Sequence, residues 1–214
     1  YRGDLWDETF QRSVFACEPV GHLVTRTIVT PQHDSPVLAA ERAQPKADFL
    51  ASSDTWFRPA SMRTGMDGAL YLADMYRMWV EHPKFLPPEI AAQIDWRAGE
   101  DKGRIWRIVP ERNPKPGHEF VAPKTTNDLV AMLSDTNGQR RITAQRRLVE
   151  DADPKIAREL SALLSANDSP SRAKVHALWT LHGLHKLSDQ QVTAALNGKS
   201  VDVRRQAAVI ARTD

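Results

Sequence analysis

Cysteine and long apolar runs are nearly absent from this chain of 214 residues. The single cysteine, Cys17, excludes an internal disulfide framework, and it also excludes a Cys-x-x-Cys site for a metal or a c-type haem within the sequence. No window approaches the roughly 18 consecutive apolar residues of a membrane-spanning helix. We therefore expect neither a transmembrane segment nor a haem in this part of the polypeptide.

A large excess of charge of one sign is also missing. Residues 1–120 carry 15 basic and 17 acidic side chains, and residues 121–214 carry 14 and 10, which gives net charges of −2 and +4. Nucleic-acid-binding domains are usually far more basic, and the aromatic residues that stack on bases are nearly absent from the second half. No nucleic-acid partner is expected.

The most informative stretch is residues 56–74, which predicts two antiparallel strands. An Asp-Gly pair at 67–68 indicates a tight two-residue turn, because glycine accepts a positive φ. The apolar run at 69–73 ends at Asp74 and predicts a buried strand. Residues 103–110 alternate between two faces and predict a third strand. This order is typical of a β-propeller blade.

Residues 14–29 repeat the order of apolar strand, acidic end, turn and arginine-bearing strand. In this alignment Glu18 corresponds to Asp74, and Arg26 corresponds roughly to Arg107. A propeller closes its ring with about four to eight blades, and this chain holds fewer than two. We expect it to begin inside a propeller whose earlier blades lie upstream.

From residue 126 onward the pattern predicts helices only. The segments 129–151, 160–184 and 192–212 each indicate two helices joined by a polar turn. In each pair the second helix carries a basic residue three positions before an alanine. These alanines are Ala144, Ala177 and Ala207, spaced by 33 and 30 residues, which is a helical-repeat period. Small alanines let paired helices approach closely, and HEAT-type repeats fit best.

Local signals complete the predicted architecture. Asp153-Pro154 and Ser169-Pro170 each place a capping side chain before a proline at the first helical position. An irregular insertion is expected at 76–101, opening with a turn at Glu81-His82-Pro83 and partly helical at 87–94. The predicted fold class is β + α multidomain, with the last blades of an antiparallel β-propeller over 1–120 and an α-solenoid of about three HEAT-type repeats over 121–214.

Six motifs support a family resemblance: CEPVGHLV (17–24), DFLASSDTWFRP (48–59), GMDGALYLADMYR (65–77), EHP (81–83), DWRAGEDKGRIWRIVP (95–110) and AKVHALWTLHGL (173–184). Together they resemble the large secreted dehydrogenase-like proteins of planctomycetes and verrucomicrobia. In that family a propeller related to sorbosone and soluble glucose dehydrogenases precedes HEAT repeats and a c-type cytochrome domain. The resemblance implies a periplasmic or secreted module that oxidises a sugar or alcohol and passes electrons to haem outside this segment.

The resemblance also implies cofactor-binding residues. In the related pyrroloquinoline quinone (PQQ) enzymes, two arginines two residues apart open the corresponding strand, and they neutralise the carboxylates of the quinone. Arg58 matches one arginine, Trp56 stands at the position of the other, and the lysine of the preceding turn falls near Pro19. PQQ and calcium are implied for the complete propeller, with Arg58 and Trp56 as cofactor-binding candidates. The catalytic histidine and the calcium loop belong to earlier blades, so no catalytic residue is assigned here.

Three further residues lie at strand ends, where propeller loops line the central pocket. Glu18, His22 and Asp74 are candidates for binding a sugar or polyol in a polar pocket, or for converging on a metal, and the alternative is that they only cap their strands. Arg58 either clamps an anionic ligand or braces the blades through Asp74 or Glu18. Trp56 either packs or offers a flat platform to a sugar.

In the second half two groups of side chains are candidates for sites. His182 and His185 are expected on one helix face, but without acidic or cysteine partners they do not predict zinc, so no metal site is expected. The arginine pairs at 140–141, 146–147 and 204–205 are expected to bridge successive turns through Asp135 and Asp202.

Two functions from different classes stay open. In the first, the chain is the C-terminal part of a PQQ-type sugar or alcohol dehydrogenase, inactive as an isolated fragment, whose partners are the remaining blades and a c-type cytochrome domain of the same polypeptide. In the second, it is a non-catalytic carbohydrate-binding or protein-interaction scaffold. A protein partner on the HEAT surface is compatible with both.

Overall fold

A computed structural model describes residues 1–32, 37–111 and 120–212. The chain divides into two compact units, Tyr1–His118 and Glu119–Asp214. Within the described residues, the first unit contains antiparallel sheets with one short helix, and the second is helical. The sequence placed the change at residue 120, and residues 112–119 beside it lie outside the described residues.

The first unit contains two antiparallel sheets. One consists of β1 (Ser13–Glu18), β2 (Leu23–Pro31), β3 (Leu38–Arg42) and β4 (Leu50–Ala51), with β1 on one side of β2 and both β3 and β4 on the other. The other has the order β5 (Pro59–Thr64), β6 (Leu70–Asp74) and β7 (Arg104–Ile108). The strands predicted at 14–29, within 56–74 and at 103–110 are confirmed, whereas β3 and β4 had no clear sequence signal.

The turn between β5 and β6 is longer than predicted. The Gly68 amide donates to the Gly65 carbonyl at 3.0 Å, and the Gly65 amide donates to the Ala69 carbonyl at 2.8 Å. Within this turn only Gly68 has a positive φ, of 81°. The prediction of a two-residue turn is therefore wrong, because Asp67 lies inside a four-residue turn that Gly68 closes.

The two sheets pack their apolar faces together. Val24, Phe57 and Leu72 are buried at the centre. Around them lie half-buried residues from both sheets and their connections: Phe15, Cys17, Phe49, Leu50, Met62 and Ile108. Because side chains alternate between faces of a strand, this shared core fixes which residues of β1 and β6 point inward.

The insertion between β6 and β7 forms as expected. His82 caps a short 3-10 turn at Pro83–Phe85, where its Nδ1 accepts from the Lys84 amide at 3.2 Å. Helix α1 (Pro88–Ala91) follows. The predicted turn at Glu81-His82-Pro83 and the short helix after it are confirmed.

Three helix pairs form the described part of the second unit: α2 (Thr126–Met132) with α3 (Gly138–Asp151), α4 (Ala157–Ser165) with α5 (Ser171–Gly183), and α6 (Asp189–Leu196) with α7 (Val201–Ile210). The second helices lie side by side in the order α3, α5, α7. Ala144, Ala177 and Ala207 are fully buried, as their predicted role at close helix contacts requires. None of the helices in the described residues is long and apolar enough to cross a membrane.

Several local predictions for this unit need correction. Pro170 is itself the N-cap of α5, so Ser169 does not cap the helix. Asp153 caps the 3-10 turn Pro154–Ile156 that precedes α4, accepting from the Lys155 amide at 2.9 Å. Helix α5 ends at Gly183, and His185 has a φ of 55°. His182 and His185 therefore do not share a helix face.

Of the partners predicted for the arginine pairs, Asp135 is confirmed. Arg140 pairs with Asp135 at 3.2 Å within its own helix pair. Arg146 pairs with Glu150, and both side chains are exposed. Side-chain hydrogen bonds join neighbouring helix pairs: His176 Nδ1 lies 2.6 Å from Gln145 Oε1, and Trp179 Nε1 donates to the Gln206 side chain at 2.9 Å.

Candidate functional site

Asp74 is the centre of the candidate site, at the end of β6. Its carboxylate is fully buried and accepts four hydrogen bonds. Oδ1 accepts from the backbone amides of Arg58 at 2.8 Å and Tyr76 at 3.0 Å. Oδ2 accepts from Arg104 Nε at 2.9 Å and Trp106 Nε1 at 3.1 Å. One carboxylate thus joins the entry to β5, the exit of β6 and the edge strand β7.

The hydrogen bonds decide the charge state of Asp74. Burial raises the pKa of this carboxyl, but the bonds from Arg58, Arg104, Trp106 and Tyr76 together outweigh burial and hold the pKa below its ordinary value. A carboxylate that accepts several hydrogen bonds favours its charged form. Asp74 is therefore ionised at neutral pH, and both of its oxygens are already engaged.

Arg58 is buried, and its guanidinium contacts backbone carbonyls. Nε donates to the Arg77 carbonyl at 2.9 Å, Nη2 to the Met78 carbonyl at 2.7 Å, and Nη1 to the Pro19 carbonyl at 2.9 Å. It therefore joins the turn after β1 to the start of the insertion. The expected bracing through a carboxylate is replaced by carbonyls, apart from the bond of its own amide to Asp74.

His22 joins the same end of the two sheets. It follows the turn after β1 with a φ of 55°, a conformation that non-glycine residues rarely adopt. Its Nδ1 lies 2.9 Å from the Phe57 carbonyl. Tertiary contact of this kind is what stabilises a strained backbone, so His22 helps attach the first sheet to the start of β5.

Glu18 does not occupy a position equivalent to Asp74. Alternation along β1 turns Glu18 to the exposed face, whereas Asp74 points into the core. Glu18 Oε1 accepts from the amides of Val20 at 3.0 Å and Gly21 at 3.4 Å. Its contacts are those of a turn-capping residue.

Trp56 packs beneath the insertion. Its ring centroid lies 5.8 Å from that of Tyr76. Gly99 also lies against the indole, so closely that an added Cβ would be 3.2 Å from the Trp56 ring. Gly99 also has a φ of 86°, so a larger residue is doubly disfavoured there. The half-buried Trp56 thus packs between Tyr76 and Gly99.

The exposed part of the site consists of residues that sequence reasoning missed. Arg104 lies with its guanidinium carbon 3.8 Å from the Tyr76 ring centroid and 4.8 Å from that of Trp106. It also approaches the Asp54 carboxylate at 3.7 Å, and an Asp54 hydrogen bond raises the pKa of the Tyr76 hydroxyl. We call these four residues, Asp54, Tyr76, Arg104 and Trp106, the aromatic–arginine surface.

The predicted residues are thus brought together in part. Arg58, His22 and Asp74 meet at one end of the sheets, Trp56 lies beside them, and Glu18 stays in its own turn. A cross-strand signal for Arg104 was present in the sequence, because pairing β6 with β7 places it opposite Asp74. The sequence alone does not give this register, because a long insertion separates β6 from β7.

The comparisons with known proteins identify this unit but not its role. A family model described as a domain of unknown function (DUF7133) matches residues 1–112. The chain belongs to the DUF7133 family. No curated protein and no solved structure matches the sequence. The matched residues include both sheets and the whole candidate site, and they end before the helical unit.

The DUF7133 unit offers binding groups at its surface. In its described part no three His, Cys, Asp or Glu side chains come together as a metal site. Trp106 is 44 % exposed, and the side chain of Arg104 is 40 % exposed. An aromatic face beside a guanidinium and a carboxylate can contact an apolar ring face while it hydrogen-bonds hydroxyl groups.

Proposed function

We propose that the DUF7133 unit is a non-catalytic carbohydrate-binding module, and that the aromatic–arginine surface is where the sugar binds. The observation that carries the proposal is the rigid, exposed grouping of Trp106 with Arg104. Asp74 fixes both side chains from the buried side through Nε1 and Nε. Both side chains stay partly exposed, Trp106 by 44 % and the Arg104 side chain by 40 %.

This arrangement suits a sugar for chemical reasons. A pyranose has C–H groups on one face and hydroxyls around its rim, so it requires a flat apolar surface with donors and acceptors beside it. Trp106 supplies the surface, Arg104 supplies donors and Asp54 supplies acceptors. Because these groups are held in place before binding, little ordering entropy is lost when a ligand arrives.

A second function, the sugar or alcohol dehydrogenase implied by the family resemblance, is favoured by one contact. Arg58 reaches the Pro19 carbonyl, so the arginine at the head of β5 and the turn of the preceding sheet lie together, as a PQQ site requires. In this proposal the chain forms the last propeller blades and HEAT-type repeats of a periplasmic or secreted enzyme, completed by further blades and a c-type cytochrome domain. Against it, the buried guanidinium already contacts three carbonyls.

Binding measurements on the 214-residue chain test the first function. A panel of neutral oligosaccharides is titrated calorimetrically into the wild type and into Trp106→Phe, Trp106→Ala and Ile105→Ala variants. Ile105 is the matched control, because it is the neighbouring residue of the same strand, is 72 % exposed and points to the other face. We expect Trp106→Ala to weaken binding about tenfold, Trp106→Phe to retain most of it, and Ile105→Ala to have no effect.

The same titrations separate the two functions. Equal sugar affinity in Trp106→Ala and wild type, with unchanged thermal melts, would reject the surface. PQQ binding, followed by quenching of tryptophan fluorescence and lost in both Arg58→Ala and Arg58→Lys, would favour the dehydrogenase. A large fall in melting temperature for these two variants, with no PQQ binding by the wild type, identifies Arg58 as a structural brace.

A further inference from the structure

The helical unit holds a cationic position that departs from its own repeat pattern. Arg141 and Arg204 occupy the same place in α3 and α7, four residues after the N-cap. Nη1 of Arg141 donates to the carbonyls of Asp135 and Thr136 at 2.7 and 2.9 Å. Nη1 of Arg204 donates to those of Gly198 and Lys199 at 2.8 and 2.9 Å. Each arginine therefore closes the turn that precedes its helix.

Lys174 occupies this position in α5, four residues after Pro170. The corresponding carbonyls are those of Asp168 and Ser169, and no hydrogen bond or ion pair joins the Lys174 ammonium to them or to another described residue. The turn before α5 is thus the one of the three that has no arginine clamp. Ser169, predicted to cap α5, does not do so either.

Lys174 instead lines a cavity of about 890 Å³ between the turn before α5, helix α6 and the turn before α7. Its polar lining contains two lysines, four serines and three amides: Lys174, Lys199, Ser165, Ser169, Ser171, Ser200, Asn167, Asn197 and Gln191. No carboxylate lines it. The neighbouring Asp168 and Asp202 are exposed and do not contribute to the lining.

We propose that this cavity binds a small anionic, hydroxyl-bearing molecule of the sugar-phosphate or sugar-acid class. The half-buried Lys174 of α5 and the exposed Lys199 of the turn before α7 both line the cavity and supply positive charge. Gln191 and the amide nitrogen of Asn197 already bond within the protein. The hydroxyls of Ser169 and Ser171 and the side-chain amide of Asn167 can both donate to and accept from a polyhydroxylated body. The volume lies within the range of roughly 300–1,000 Å³ of small-molecule sites.

The lysine has a clear role in this site. An ammonium on a flexible stem binds phosphate or carboxylate as a point charge, whereas an arginine at the same place would be drawn to the carbonyls of its turn, as Arg141 and Arg204 are. Exchange of the clamp for a lysine therefore leaves the cavity open and places a cation in it. The inference concerns the helical unit alone and does not depend on the carbohydrate surface of the DUF7133 unit.

Calorimetric titration of the 214-residue chain at low salt tests the proposal, with glucose 6-phosphate, gluconate, inorganic phosphate and glucose as probes. We expect saturable binding of glucose 6-phosphate or gluconate with a Kd of about 1 mM or tighter, and none of glucose. Inorganic phosphate should bind no more tightly than the anionic sugar with the higher affinity. The two anionic sugars distinguish a phosphate ester from a carboxylate ligand.

Neutral, similarly sized variants identify the site. Lys174→Gln should weaken binding about tenfold, because one charge-assisted hydrogen bond is lost, and Lys199→Gln should weaken it less. Lys186→Gln is the matched control, since Lys186 is exposed in the same unit and outside the cavity. Absence of saturable binding by both anionic sugars, or equal weakening in all three variants, would overturn the proposal.

Discussion

The two units hold their elements together by different chemistry. In the first, a buried carboxylate on Asp74 connects three separate strand ends and the start of an insertion. In the second, fully buried alanines at equivalent places let helices pack closely, and polar groups mainly close turns. The comparison teaches that an irregular sheet assembly depends on a few directional bonds, whereas a repeat spreads its stability over similar apolar contacts.

The sharpest way to break the first arrangement is Asp74→Ala. The substitution removes four hydrogen bonds and leaves buried donors without partners, so we expect a loss of about 3–5 kcal/mol in the free energy of unfolding of the first unit. Urea denaturation followed by tryptophan fluorescence measures it, because five of the six tryptophans lie in this unit. Glu18→Ala is the control and should change stability by less than about 1 kcal/mol. Similar losses in both variants would contradict the assigned difference.

For the second unit the corresponding test is Ala177→Asp. Ala177 is fully buried in the core shared by α3, α4 and α5, so an aspartate there introduces a carboxylate without a partner and should cost at least about 3 kcal/mol. Ala162→Asp, on an exposed position of α4, is the matched control. Loss of helical circular dichroism at lower urea measures the effect, and an unchanged midpoint for Ala177→Asp would show that the helix register is wrong.

The stabilities of the two units should also differ in their dependence on acid pH. Hydrogen bonds overcome burial and lower the folded-state pKa of Asp74 and also of Asp67, which is bonded by Arg107, the Ala69 amide and Tyr71. For groups with lowered pKa, the stabilisation is complete above the unfolded value, near 3.8, and disappears as pH falls through the folded value. Hydrogen bonds from Thr125 and Lys124 also lower the pKa of Asp128 in the helical unit, but that carboxyl is exposed. We therefore expect both units to lose stability from about pH 4 downward, and the first unit to lose more.

Tryptophan emission of a Trp179→Phe variant reports this acid transition for the first unit alone. The far-ultraviolet circular dichroism of the helices reports the acid transition of the second unit, and the two transitions are then compared. Asp74→Asn should reduce the pH dependence, since the amide does not titrate. Coincident transitions at all acid pH values, or an unchanged pH dependence in Asp74→Asn, would show that these carboxylates do not control the difference.

The sequence predicts the elements of both units better than their connections. Alternation and helical period identify β1, β2, β5, β6 and β7 and the three helix pairs, because apolar periodicity is a local signal. The short β3 and β4 have weak alternation, and they exist because β2 offers them an edge. The fold class is mixed β + α, while the propeller and HEAT assignments stay predictions.

Asp74, Arg58 and His22 lie near one another, as their predicted strand-end positions suggest, whereas Glu18 lies apart from them. Their binding roles stay predictions. Residues on a strand alternate between faces, so a correspondence displaced by one position exchanges core for solvent. Glu18 and Asp74 both end an apolar strand, but only the packing of the sheets shows that they lie on opposite faces. Arg104 and Trp106 were read as strand residues alone, since their bonds to Asp74 cross a long insertion.

The smallest expected effect concerns the turn before α5. Lys174→Arg should introduce the clamp that Arg141 and Arg204 provide, with bonds from the guanidinium to the carbonyls of Asp168 and Ser169. Two neutral-acceptor bonds in a partly exposed place should raise the free energy of unfolding of the helical unit by about 1 kcal/mol, a rise of a few degrees in the melting temperature. Differential scanning calorimetry compares this variant with Lys186→Arg, which replaces a lysine by an arginine outside the turn.

A gain in stability in Lys174→Arg that is absent from Lys186→Arg would show that the second repeat lacks a stabilising clamp at this position, as expected of a residue that serves binding. Equal melting temperatures would show that its turn needs no clamp, and Lys174 would then differ from Arg141 and Arg204 for reasons unrelated to stability.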